Sequence, residues 1–306
     1  MGERSDFREN QGKTTVFRIL QVVPLFVGRC TKLTSVMGLT VYYDWKTKTD
    51  LASARRMIAK FRAIALKLPF DDVSEIYEQD PPDRKAAFRP YHHTFRQGAL
   101  YLSRTRGDGE QEIVHVPALH ALFFTVHVRG AESAPIGLAS HPPVVVHHED
   151  VIERNKDGSE RGRLLGQGDP VEFPTRRRGY YSWHSFCKTQ YAGNPKVGGE
   201  ANFLKAHLSL IELLDQIKAS GVKVRMRDDS RYARHRDVNR LLRCVRNWDA
   251  LIANIVGNLG DALKDKSGSL IAPIKERPDF EHLEVKGIRV LRRMAARQRK
   301  RKEDAP

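Results

Sequence analysis

The spacing of apolar and polar positions changes period several times along this chain, and each change marks an element. Met37-Gly-Leu-Thr-Val-Tyr-Tyr-Asp44 is β-branched and aromatic and predicts a strand. Thr49-Asp50 offers an N-cap, and Leu51, Ala54, Met57, Ile58, Phe61, Ile64, Ala65 and Leu68 then recur at helical spacing until Pro69 ends the run. Val73–Gln79 reads as a second strand. Asp80–Arg96, crowded with Pro, charge and turn formers, reads as a loop. Short strands are predicted at Ala99–Arg104, Gln111–Val116, Leu122–Val128, Ile136–Ala139 and Val144–His147, with Gly107-Asp108-Gly109 a hairpin turn between the first two.

Glu149–Arg178 is polar and Gly-rich, with a turn signal at Lys156-Asp157-Gly158, and reads as a long excursion or weak hairpin and the main seam of the chain. Tyr180–Tyr191 follows as a strand, with Tyr181, Trp183 and Ser185 on one face and Ser182, His184 and Phe186 on the other. Glu200–Ser220 predicts a helix whose stripe is Phe203, His207, Leu210, Leu214 and Ile217, stopped by a left-handed Gly221. Val222–Arg227 is a short strand. A last helix starts at the N-cap Asp237, with Val238, Leu241, Leu242, Val245, Trp248, Ile252, Ile255, Val256 and Leu259 inward and Arg240, Arg243 and Arg246 outward.

These elements define an α+β fold: a mixed, mostly antiparallel sheet with about three packed helices. Strand–helix–strand occurs at 38–79 and again at 180–227, which points to two β-α-β units, although no residue-level repeat accompanies them. The domain reading is a dispensable extension at 1–36 with the start at Met37, an α+β domain at 37–284 carrying the 149–178 excursion, and a basic tail at 285–306.

Composition changes this picture at one point. The formal charge is +16 and the pI about 9.9, which favours an anionic partner. Residues 1–36 contribute +3 and residues 286–306 contribute +7, so the body carries an ordinary +6. Three cysteines (Cys30, Cys187, Cys244) are too few for a disulfide framework and fit a reducing compartment. The apolar run Ile19–Val27 is too short to span a bilayer, and Arg29 before Cys30 argues against a lipoprotein site. The expected location is the cytoplasm, with no membrane partner.

The run Cys187-Lys-Thr-Gln-Tyr-Ala-x-x-Pro-x-x-Gly-Gly followed by Asn202-Phe-Leu-x-x-His-Leu resembles an uncharacterised bacterial protein family. So do the Met37-Gly-Leu-Thr opening, Leu68-Pro-Phe70, Arg236-Asp-Val238, Asn247-Trp248 and Phe280-Glu-His-Leu-Glu284, so that most of 37–284 is covered. The resemblance implies that Trp183–Leu214 is the family's signature, that the chain starts at Met37 and that 149–178 is individual. The family has no assigned activity, so no catalytic residue is carried over.

Four groups carry candidate chemistry. Cys187 beside Lys188 and a helix N-terminus is a weak candidate nucleophile; His184 would point to the other strand face and is a poor base for it. The loop 192–199 is a candidate anion or small-ligand site, using Lys188, Gln190, Tyr191, Asn194, Gly198 and Gly199, although it matches neither the P-loop nor the dinucleotide fingerprint. His92-His93 and His147-His148-Glu149-Asp150 lack the convergent spacing of a zinc site, so no metal or other cofactor is expected. His207 reads as a hydrogen-bonded core histidine. The tail residues Arg292, Arg293, Arg297, Arg299, Lys300, Arg301 and Lys302 could contact phosphates without sequence preference, but no aromatics interleave them. The reading is a non-catalytic ligand-binding or protein-interaction module with a small-molecule or protein partner. The alternatives are an enzyme using Cys187 or a histidine in a cleft, and a weak nucleic-acid binder through the tail.

Overall fold

The computed structural model describes residues 39–79, 98–105, 111–154, 160–264 and 273–303. The extension at 1–36, His92-His93, the two predicted turns at 107–109 and 156–158, and Cys30 lie outside the described residues. The chain divides into two compact units, one formed by Leu39–Leu241 and the other containing Leu242–Pro306.

The first unit is built on a seven-stranded sheet. Its strands are β1 (Thr40–Lys48), β2 (Asp72–Val73), β3 (Tyr77–Gln79), β6 (His120–His127), β7 (Ala134–Ser140), β10 (Tyr180–Lys188) and β11 (Arg225–Asp228). The order is β11-β1-β10-β7-β6-β2, with β3 also on β6, and every pairing is antiparallel. Helix α1 (Leu51–Ala65) joins β1 to β2, and α2 (Gly199–Ala219) joins β10 to β11. In each case the two joined strands run the same way but are separated by other strands, so both predicted β-α-β units exist in split form.

Both helices pack on one face of the sheet. Asp50 caps α1, accepting from the Ser53 N–H at 2.7 Å, and the predicted stripe delivers Ala54, Ile58, Phe61 and Ala65 to the core. Phe203, His207, Leu210, Leu214 and Ile217 of α2 are buried as their spacing requires, and Gly221 takes the left-handed conformation at φ 101°. Against them lie Val41, Tyr43 and Trp45 of β1 with Leu122, Phe124, Ile136 and Leu138 of β6 and β7. Trp45 meets Phe61 edge-on at 6.3 Å.

One seam in this sheet is thin. β10 and β7 pair only at Tyr181↔Ser140 and Ser182↔Ala139. Beyond these pairs the Trp183 indole lies over Gly137, where any Cβ would sit 2.5 Å from the ring, and donates to the Pro135 carbonyl at 2.9 Å. Glycine is required at 137 because a tryptophan occupies the space a side chain would take.

Two hairpins complete this unit: β4 (Leu100–Thr105) with β5 (Gln111–Val116), and β8 (Val144–Arg154) with β9 (Glu160–Pro174). Of the two readings of 149–178, excursion or weak hairpin, the structure has the hairpin, and the stretch falls inside the Leu39–Leu241 unit instead of dividing the chain. A one-turn helix, α3 (Tyr232–His235), precedes α4 (Val238–Lys264), which Asp237 caps as predicted, accepting from the Arg240 N–H at 3.0 Å.

In the second unit the residues after Leu241 in α4 pack against α5 (Phe280–Glu303), so α4 is not the last helix. Ala250, Ala253 and Leu283 form the contact, and Gly287 lies so close to the Ala250 carbonyl that a Cβ would be 2.2 Å from its oxygen. Arg277 bridges Asp249 at 2.7 Å and Asp279 at 2.9 Å. Ile255, expected to face inward, is 39% exposed. It lies about 100° round the helix from buried Val256, outside the packed stripe.

Candidate functional site

Every predicted feature of the strand–loop–helix unit can be placed. Cys187 is on the helix-packed face of β10, 3% exposed, and its thiol donates to the Glu132 carbonyl at 3.1 Å. Burial and then the Glu132 charge push its pKa up to about 12, so it is a neutral thiol at physiological pH. His184 projects from the other face, as the strand alternation required. A recess beside the thiol, lined by Phe70, Val126, Ala134 and Leu210 among others, encloses only about 10 Å³, the room of roughly one water molecule. The thiol is not placed for nucleophilic chemistry.

The loop after Cys187 spends its polar groups on itself. Lys196 N–H donates to Asn194 Oδ1 at 2.9 Å, and the N–H groups of Val197, Gly198 and Gly199 donate to the carbonyls of Asn194, Pro195 and Asn194. These are the donors that an anion cradle would need. The Gln190 side-chain Oε1 accepts from the Leu39 N–H at 2.6 Å, and the Asn202 side chain donates to the backbone carbonyls of Arg129 and Ala192. Lys188 places its ammonium 3.6 Å from Glu132. Tyr191 remains exposed. Gly198, at φ 114°, is the residue from which α2 starts.

His207 is the hub of a sealed polar network. Its Nδ1 pairs with Thr189 Oγ1 at 2.8 Å, and its Nε2 lies 3.3 Å from Ser230 Oγ and 3.5 Å from Asp228 Oδ2. Ser230 also donates to the Asp228 carboxylate at 2.7 Å. Burial pushes the Asp228 pKa up, but hydrogen bonds from His207, Ala233 N–H and Ser230 outweigh it and bring the pKa down to about 2. All four side chains are buried. The network joins the turn after β10, α2, the end of β11 and the loop that follows it, and it has the donor and acceptor types of a catalytic triad without access to a substrate.

Among the described residues no group of three His, Cys, Asp or Glu is placed to hold a metal ion, and no helix is long and apolar enough to cross a membrane. Arg292 and Arg293 are exposed on α5. The side chains of Arg297, Arg299, Lys300, Arg301 and Lys302 lie outside the described residues, as do those of Glu149 and Asp150.

The exposed chemistry lies elsewhere, on the face of β11-β1-β10 away from the helices. Register places Arg227, Tyr42 and Phe186 in one row across the three strands. The Arg227 guanidinium sits 4.2 Å from the Tyr42 ring centroid, and the Tyr42 and Phe186 centroids are 6.0 Å apart. Lys188 reaches to 5.9 Å from the Phe186 ring. The next row holds Arg225, bound to Asp44 at 2.5 Å, and His184, which meets Tyr101 of β4 edge-on. Beyond it, Lys46 lies 5.5 Å from the Tyr180 ring. Phe186 is 45% exposed, and the side chains of Arg227 and Arg225 are 64% and 80% exposed.

Tyr42, Lys46, Arg225 and Arg227 were not singled out by the sequence reading. The signal was present as alternation, Tyr42-x-Asp44-x-Lys46 and Arg225-x-Arg227, beside the recognised His184-x-Phe186 face. What brings the three sets together is strand order, which no local pattern encodes. No protein family, curated protein or solved structure matches the chain.

Proposed function

We propose that this chain is a non-catalytic binding module that takes an anionic partner on the open face of β11-β1-β10. The observation that supports this is the row Arg227–Tyr42–Phe186, in which cationic and aromatic side chains share an exposed surface. Core burial would have placed aliphatics there, and simple solvation would have placed charges without rings. The cations of the face itself, Lys46, Lys188, Arg225 and Arg227, favour an acidic partner. The surface replaces the 192–199 loop as the ligand site, since that loop's backbone donors are satisfied internally. It also replaces the Cys187 enzyme, whose thiol is buried.

The test uses long-chain inorganic polyphosphate, an anion without rings. Wild type is expected to bind it with strong salt dependence, and the double charge reversal Lys46→Glu, Arg225→Glu is expected to weaken binding at least tenfold with circular dichroism unchanged. Equal binding by the folded variant would reject the face as the site.

A further inference from the structure

We infer that the open face binds single-stranded nucleic acid, stacking unpaired bases on Phe186 and on the Arg227–Tyr42 pile while the flanking cations take the phosphates. This rests on the binding-surface reading above and names the partner class. Three features select it.

The first is the pairing of platform and charge. Base stacking on exposed aromatics or on Arg guanidinium planes, within a positive groove, is how single strands are held without sequence readout. Phe186 offers a half-exposed ring. The Arg227 guanidinium, lying on Tyr42, offers a second planar surface one strand away. The two platforms are neighbours across β1 and β10, where adjacent strands are about 4.8 Å apart, so successive nucleotides can run across the strands.

The second is the distribution of cations. Arg225 and Lys46 border the platforms on one side and Lys188 on the other. Asp44, Glu132 and Asp229 partly offset them through Arg225, Lys188 and Arg227, leaving Lys46 as the charge most available to phosphates. An acidic peptide would use the same cations but would gain little from planar rings capped by a guanidinium. Bases gain from both.

The third is shape. The row lies on three strands of a sheet, not on a helix that could enter a duplex groove. A duplex keeps its bases stacked inside, where Phe186 cannot reach them. The face therefore discriminates by strandedness. Short strand length and arginine are also ordinary protection for an edge strand, and β11 is an edge. That protection accounts for Arg225 and Arg227 but not for Tyr42 and Phe186 on the strands inside it.

The experiment is fluorescence anisotropy with the full chain at about 150 mM salt and four 15-mers: oligo-dT, oligo-U, an abasic strand with the same phosphates, and a duplex. Oligo-dT and oligo-U are expected to bind at least tenfold more tightly than the abasic strand and more tightly than the duplex. Phe186→Ala is expected to weaken the base-bearing strands by roughly five- to 150-fold, the range for losing one stacked base, and to leave the abasic strand unchanged. Binding through the basic tail does not need bases, so the abasic strand reads it directly. Phe186→Tyr, which keeps the ring, should restore binding if Phe186→Ala perturbs folding. Equal affinity for base-bearing and abasic strands, tighter binding of the duplex, or indifference to Phe186→Ala in a folded variant overturns the inference. If polyphosphate and the abasic strand still bind through Lys46 and Arg225, the anion-binding reading survives; if nothing binds, both fall.

Discussion

Arg227 on β11 and Tyr42 on β1 are direct cross-strand partners, and the guanidinium carbon lies 4.2 Å from the centre of the phenol ring. The contact is exposed, so its share of folding stability is small, about 0.5–1 kcal/mol. Arg227→Ala is therefore expected to shift the urea midpoint only slightly while removing one cation and one planar surface from the face. A loss above about 2 kcal/mol would show that the pair is chiefly a fold contact.

The His207–Asp228 network behaves oppositely. Asp228 titrates near 2 in the folded chain and near 3.9 when unfolded, so folding favours its charged form. This contribution is complete above about pH 5 and disappears as pH falls through 2, and it amounts to about 2 kcal/mol. Unfolding free energy should fall on acidification over this range, and Asp228→Asn should flatten that part of the profile. The same substitution at pH 7 is expected to cost about 2–4 kcal/mol, because the charge goes and one of the two buried acceptor oxygens facing His207, Ser230 and the Ala233 N–H becomes a donor. Urea titrations at a series of pH values measure both effects.

Cys187 should resist alkylation in the native chain. Its thiol, held near 12, is almost wholly neutral at pH 8, and the residue is only 3% exposed. Pulsed iodoacetamide labelling read by peptide mass should leave the Cys187 peptide unmodified until denaturant unfolds the chain. Native-state labelling faster than that of the partly exposed Cys244 would contradict the buried placement.

Gly137→Ala tests the wedge between β7 and β10. The new methyl would lie 2.5 Å from the Trp183 ring, so either indole or strand must shift. Overpacking of this kind costs about 1–3 kcal/mol, and the Trp183 emission should change with it. A neutral substitution with unchanged fluorescence would mean that the seam is looser than described.

The elements were legible in the sequence because their physical causes are local. Asp50 and Asp237 cap the helices they were expected to cap, and the α2 stripe from Phe203 to Ile217 is buried throughout. The two faces of β10 also followed from alternation, leaving His184 and Phe186 on the outside. The site was not legible as a whole. Alternation put Phe186 on the face of His184, but its neighbours Tyr42 and Arg227 come from positions 144 and 41 residues away, chosen by the order of three strands. The loop 192–199 carried the Gly, Pro and Asn signals of a ligand turn, and the same residues turned out to satisfy one another, because a tight turn and an anion cradle draw on the same backbone N–H groups.

The position of β1 sets a timetable for synthesis. It is among the first described strands of the chain, yet both of its neighbours lie more than 130 residues downstream, at Tyr180–Lys188 and Arg225–Asp228. Closing so long a loop carries an entropic cost, and such non-local pairings form late. While a ribosome is still translating the hairpins, Val41, Tyr43 and Trp45 have no partner strands and represent a sticky segment for chaperones to shield. Tyr42, Phe186 and Arg227 are assembled by the same closing step as the core, so a nascent chain gains its outer surface only when its interior is complete.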